Sequence, residues 1–93
     1  MLEKRIENKL TRSVKKAGGI ALKFVSPGFA GMPDRLVLLP DGMCAFVELK
    51  APGKHTRPLQ TVRHRMLQKL GFKVYVIDSA EQIEGVINDI RAT

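Results

Sequence analysis

Residues 31–50, GMPDRLVLLPDGMCAFVELK, decide the fold: two apolar runs stand on either side of a Pro40-Asp41-Gly42 turn signal, the pattern of a β-hairpin. The pattern predicts strands over 34–39 and 44–50, apolar on both faces and therefore central and covered on both sides. Three charges interrupt it: Asp34, Glu48 and Lys50. Charged groups in such strands cost stability unless something compensates them, so these three are candidates for chemistry.

The flanking sequence predicts the covering layers. Leu2, Ile6, Leu10, Val14 and Ala17 recur at helical spacing, and Gly18-Gly19 ends the run. At about 100° per residue, Glu7 falls at the edge of this inner stripe. Glu3 falls nearer its middle, where a first-turn acid beside the helix dipole has an ordinary structural explanation. A strand is expected over 20–25, then a loop built on Ser26, Pro27, Gly28, Gly31 and Pro33. Beyond a basic loop over 51–57, Thr56 is expected to cap a helix with Pro58 in its first turn. That helix would turn Leu59, Val62, Met66, Leu67 and Leu70 inward and end at Gly71. A fourth strand follows over 73–77. Ser79 and Gln82 form a capping box for a last helix carrying Ile83, Val86, Ile87 and Ile90. The expected order, α-β-β-β-α-β-α, describes a single α/β domain over 1–93 with one mixed sheet between helices.

Residues two apart share a strand face, so Glu48 and Lys50 point the same way. Whether Asp34 joins them depends on hairpin register. A two-residue Asp41-Gly42 turn sets Asp34 opposite Leu49, on the other face. A three-residue loop or a bulge sets Asp34 across from Lys50 and Leu36 across from Glu48, and this register is expected because it gathers the charges. With the inward Glu7, Asp34 and Glu48 would make a cluster of three carboxylates, which repels itself unless a divalent cation binds it. Oxygen ligands favour Mg2+ or Mn2+. Lys50 beside such a site can orient a water or stabilise charge on a phosphorane-like transition state. The competing reading of Glu48 and Lys50 is a structural ion pair.

Composition points to a polyanionic partner. The net charge is +7, and fifteen of the sixteen basic residues but only five of the nine acids precede residue 74. Lys23, Arg35, Lys54, His55 and Arg57 are candidate phosphate contacts, with Lys23 expected on the side of the site. His55 and His64 have no metal spacing and both read as surface or DNA-facing. Arg63 falls on the apolar side of its helix, where pairing with an acid and contact with a second copy both stay open. The four Phe and one Tyr read as core or loop anchors. The single cysteine, Cys44, excludes a disulfide framework, and with two His it does not build a structural zinc site. No apolar run approaches about 18 residues, and the first residues alternate charges where a signal peptide would be apolar, so neither a membrane span nor a signal peptide is expected, and the expected setting is the cytoplasm.

MPD at 32–34 followed by ELK at 48–50 resembles the signature of the PD-(D/E)XK nuclease superfamily, whose restriction-endonuclease-like αβββαβ core is similar to the order above, here with an added C-terminal helix. With GMPDRLVL, FVELKAPG, the early Glu7 and Gln60 at the start of a helix, the chain more narrowly resembles the stand-alone VRR-Nuc domain over nearly its whole length. The resemblance implies Asp34, Glu48 and the Leu49 backbone carbonyl as metal ligands, with Glu7 holding metal directly or through water. It implies Lys50 as the catalytic lysine and Gln60 as a residue bordering the site. It further implies a bacterial or phage setting, a homodimer, and cleavage of branched DNA of the Holliday-junction type. The rival expectation is a non-catalytic basic nucleic-acid-binding domain. A restriction-type or RNA-directed nuclease would share the chemistry with a different substrate.

Overall fold

The computed structural model describes residues 2–92, with side chains from Lys4 onward, so the inner positions expected for Leu2 and Glu3 lie outside the described side chains. Helix α1 spans Leu2–Lys16, β1 Ile20–Lys23, β2 Arg35–Leu39, β3 Met43–Leu49, α2 Pro58–Lys69, β4 Val74–Ile77 and α3 Ile83–Arg91. Short 3-10 turns occupy Pro40–Gly42 and Ala80–Gln82. The strands form one mixed sheet in the order β1-β2-β3-β4, antiparallel except for the parallel β3/β4 pair. Parallel neighbours need a crossover, which α2 provides. This is the α/β architecture expected from the sequence.

Glycine is required where α1 gives way to β1. The Gly19 N–H donates to the Val14 carbonyl at 2.9 Å, and a Cβ at Gly19 would stand 2.1 Å from the Leu38 carbonyl oxygen. The chain can therefore enter the sheet beside β2 only without a side chain at that point. At the other end, Gln82 accepts from the Asp78 and Ser79 backbone N–H groups at 2.7 and 3.0 Å, the expected reach-back ahead of α3. The Tyr75 hydroxyl donates to Asp89 and ties β4 to α3. Burial and that carboxylate push the phenol up to about 12.

The core lies on one face of the sheet. Ile6, Leu10 and Val14 of α1 and Ile83, Ile87 and Ile90 of α3 pack with Val37, Leu39, Ala45, Val47, Leu49 and Ile77. The opposite face departs from the expectation of full cover. Leu22 remains 40% exposed and Leu38 37%, while Phe24, Phe46 and Phe72 stack edge to face across it. The reason is that α1 and α3 both lie on the first face, leaving α2 alone over the second. Among the described residues, no helix is long and apolar enough to cross a membrane.

Two further expectations are corrected. The hairpin does have a three-residue loop, but Pro40–Gly42 forms it, so Leu39 pairs with Met43, Leu36 with Phe46 and Arg35 with Val47. Continued by one step, this register sets Asp34 opposite Glu48, in place of Asp34 with Lys50 and Leu36 with Glu48. Pro40 has no N–H to give the ladder, and Asp41 and Gly42 take positive φ of 67° and 73°, which reverses the chain one residue early. Parity is preserved, so Asp34 and Glu48 still share a face.

Helix α2 also begins one residue later than expected. Arg57 is its N-cap, while the Thr56 hydroxyl shares a hydrogen bond with that of Thr61 at 2.9 Å. Its expected inner stripe is largely outside: Leu59, Val62 and Leu70 are exposed, Leu70 to 67%. The helix turns Gln60, Arg63, His64 and Leu67 toward the body of the protein, a set at helical three-and-four spacing. Polar partners set this rotation. Arg63 donates to the Ala30 carbonyl at 2.9 Å and lays its guanidinium 3.9 Å over the Phe29 ring, so it pairs with a loop rather than an acid. Gly31 seats the same loop against α2 at φ +89°, where a Cβ would meet Leu59 at 2.8 Å.

Candidate active site

Alternation along β3 sends Val47 and Leu49 into the core and Glu48 to the α2 side. There its side chain is only 5% exposed. A carboxylate so buried needs charged or hydrogen-bonding partners, and Gln60, Lys50 and His64 approach it. Gln60 Nε2 donates to Oε2 at 3.1 Å, Lys50 Nζ lies 3.6 Å from the same oxygen, and His64 Nε2 lies 3.9 Å from Oε1. The Gln60 amide is itself oriented, because its Oε1 accepts from the Arg57 backbone N–H at 2.9 Å. The helix N-terminus thus aims an N–H2 at the strand carboxylate.

Asp34 stands at the mouth of β2, fixed from both sides. Its backbone carbonyl accepts from Phe24 at 2.8 Å, and its Oδ1 accepts from the Leu49 N–H at 3.2 Å. In a strand the N–H and C=O of one residue lie on the same edge, so the Leu49 carbonyl shares the edge facing Asp34. Asp34, Glu48, Leu49 and Lys50 line one cavity of about 470 Å³, together with Lys54, His55 and Arg57. Two carboxylates, one ammonium and a basic rim therefore share one open space.

Other expected site residues are placed elsewhere. Glu7 pairs with Arg35 and lines a separate cleft with Asn8, Thr11 and Arg12. Arg35, 6% exposed, is consumed by this pair, which corrects its assignment to DNA. Lys23 is paired in register with Arg35, so it is on the α1 face, away from the cavity expected for it. Among the described residues, no group of three or more His, Cys, Asp or Glu side chains is gathered to hold an ion. The three-carboxylate expectation is thus reduced to two, Asp34 and Glu48, because odd-numbered Arg35 points to α1 and takes Glu7 with it.

The Glu7–Arg35 pair has a stability consequence. The Arg35 hydrogen bond, and then its charge with those of Lys23 and Lys4, holds the Glu7 carboxyl below its ordinary 4.5 against the opposing cost of burial. Its stabilisation is full above that ordinary value and is lost as pH falls through the lowered one. Glu7→Gln is expected to melt below wild type at pH 7, by about 1–2 kcal/mol because Arg35 is left buried without its partner. Thermal melts of the two proteins should converge as the acid limit is approached.

His64 is the functional candidate the sequence reading missed. Expected at the surface, it is 7% exposed, and burial, with the Lys50 charge second, pushes its imidazole below the usual range. The signal that locates it is its position four residues after Gln60, on the same face of α2.

No family model matches the sequence. The chain is 53% identical over 79 residues to "Putative nuclease p44" of Acyrthosiphon pisum secondary endosymbiont phage 1, a match covering 85% of this chain and 85% of that protein. It is similar to a solved structure titled "VRR_NUC domain", with TM-score 0.88 and 31% identity, covering 95% of this chain and 96% of the other. A "VRR_NUC domain protein" shares the fold at TM-score 0.72 and 22% identity, covering 97% of this chain and 88% of that one.

Proposed function

The chain belongs to the VRR-Nuc family, and on that premise we propose that it is a divalent-metal-dependent endonuclease that hydrolyses DNA phosphodiesters, cutting branched DNA of the Holliday-junction type as a homodimer. The observation that carries this reading is the convergence of Asp34, Glu48, Leu49 and Lys50 on a cavity rimmed by Lys54, His55 and Arg57. Two carboxylates and a backbone carbonyl are hard oxygen donors, and Mg2+ ordinarily takes only one or two carboxylates, completing its shell with water and substrate phosphate. The donor set therefore fits, with Asp34, Glu48 and Leu49 as the residues that would hold Mg2+ or Mn2+. The bound ion supplies Lewis acidity toward the phosphate and a more acidic water.

The protein's own groups do the rest. Lys54, His55 and Arg57 bind backbone phosphates and set the strand over the cavity. Gln60 holds the Glu48 carboxylate in place. Lys50 adds positive charge where negative charge builds on the phosphate in the transition state. A homodimer suits a two-fold junction, and the exposed apolar stripe of α2, with Leu59, Val62 and Leu70, supports the pairing of copies. The proposed setting is the cytoplasm of a bacterial or phage-infected cell.

The test is cleavage of end-labelled four-way junction, flap, nicked and linear duplex DNA with Mg2+ or Mn2+, beside light scattering of the free protein. Paired symmetrical cuts in the junction, abolished by a strong chelator, are expected from a species of twice 10.3 kDa. Tight DNA binding with no cleavage under any metal would identify a non-catalytic binding domain, and chelator-resistant cleavage would overturn the metal dependence.

A further inference from the structure

Gln60 and His64 stand one turn apart on α2 and approach opposite oxygens of one carboxylate. Gln60 Nε2 donates to Glu48 Oε2 at 3.1 Å, and His64 Nε2 lies 3.9 Å from Oε1. Nε2 of His64 is sealed from solvent and, among the described residues, has no hydrogen-bond partner. A buried polar atom left in this way costs stability. Its retention behind a strand carboxylate calls for a use.

Resting on the nuclease reading above, we propose that His64 is a positioning residue for Glu48, its Nε2–H closing onto Oε1 when the carboxylate takes up a divalent cation. A closure of about 1 Å reaches hydrogen-bond distance. An ionised carboxylate has about four lone-pair sites, so it serves both α2 donors and a cation together. The imidazole then fixes the carboxylate plane from one side and Gln60 from the other.

The test compares wild type, His64→Phe and His64→Gln as whole proteins. Phe keeps the ring volume and removes both nitrogens, whereas Gln returns an N–H2 at similar reach. Mn2+ affinity is read from the paramagnetic resonance of free Mn2+, alongside kcat and KM on junction DNA and thermal melts. The Phe variant is expected to bind Mn2+ about tenfold or more weakly, with kcat lowered, KM for DNA unchanged and Gln recovering most of the loss. Wild-type Mn2+ affinity in the Phe variant, or loss that tracks melting and is not recovered by Gln, overturns the proposal. Nitrogen chemical shifts of wild-type His64 give an arm independent of activity: the Nε2–H tautomer is expected, and the Nδ1–H tautomer overturns the role. A wild type that shows this tautomer yet neither binds Mn2+ nor cleaves DNA fails the nuclease reading itself, and with it the positioning role.

Discussion

Glu48→Gln protein is expected to cut junction DNA at least about 10³-fold more slowly than wild type, while melting within a few degrees of it. The amide keeps the shape of the side chain in its nearly closed site but removes the negative charge a hard divalent cation requires. Two stability effects oppose each other. The buried carboxylate loses its desolvation cost, and Lys50, whose side chain is 15% exposed, loses its 3.6 Å partner. The melting temperature therefore changes little while cleavage and Mn2+ binding collapse together. Cleavage rates and Mn2+ titrations on the same preparation check this, and undiminished cleavage would remove Glu48 from the reaction.

Lys50→Ala is expected to separate binding from chemistry. Cleavage under saturating DNA should fall about 10²- to 10³-fold, the usual cost of one preorganised stabiliser of developing charge. DNA affinity should fall only a few-fold, with the salt dependence reduced by about one phosphate contact, because Lys54, His55 and Arg57 still rim the cavity. Lys50→Arg should not restore the rate: a planar guanidinium is wider than an ammonium and distributes its charge differently. Single-turnover cleavage and salt-dependent binding measure the two effects apart. Equal losses in both would make Lys50 a phosphate contact only.

Much of this site is readable locally. The Pro40-Asp41-Gly42 turn, the helical spacing of Ile6, Leu10 and Val14, and the strand alternation that sets Glu48 and Lys50 on one face depend on neighbours within a few residues. The register needed more, because loops of nearly the same composition close at different residues, and φ at Asp41 decided where the ladder began. Asp34 still reached the Glu48 face because an error of two residues in register preserves strand parity. Arg35 and Lys23 looked like DNA contacts from charge alone, yet register placed both on the α1 side, where Glu7 takes up Arg35.

The amino-acid sequence by itself determined the elements, their order, Glu48 and Lys50 on one strand face and the basic loop beside them, because periodicity and turn chemistry act over short range. Tertiary structure alone decided the rotation of α2, the burial of His64, the exposure of Leu59, Val62 and Leu70, and the withdrawal of Glu7. Periodicity predicted that α2 would bury its apolar stripe. The assembled protein instead turned Gln60 to Glu48, because a hydrogen-bond donor to a buried carboxylate outweighs keeping a few leucine and valine side chains from water.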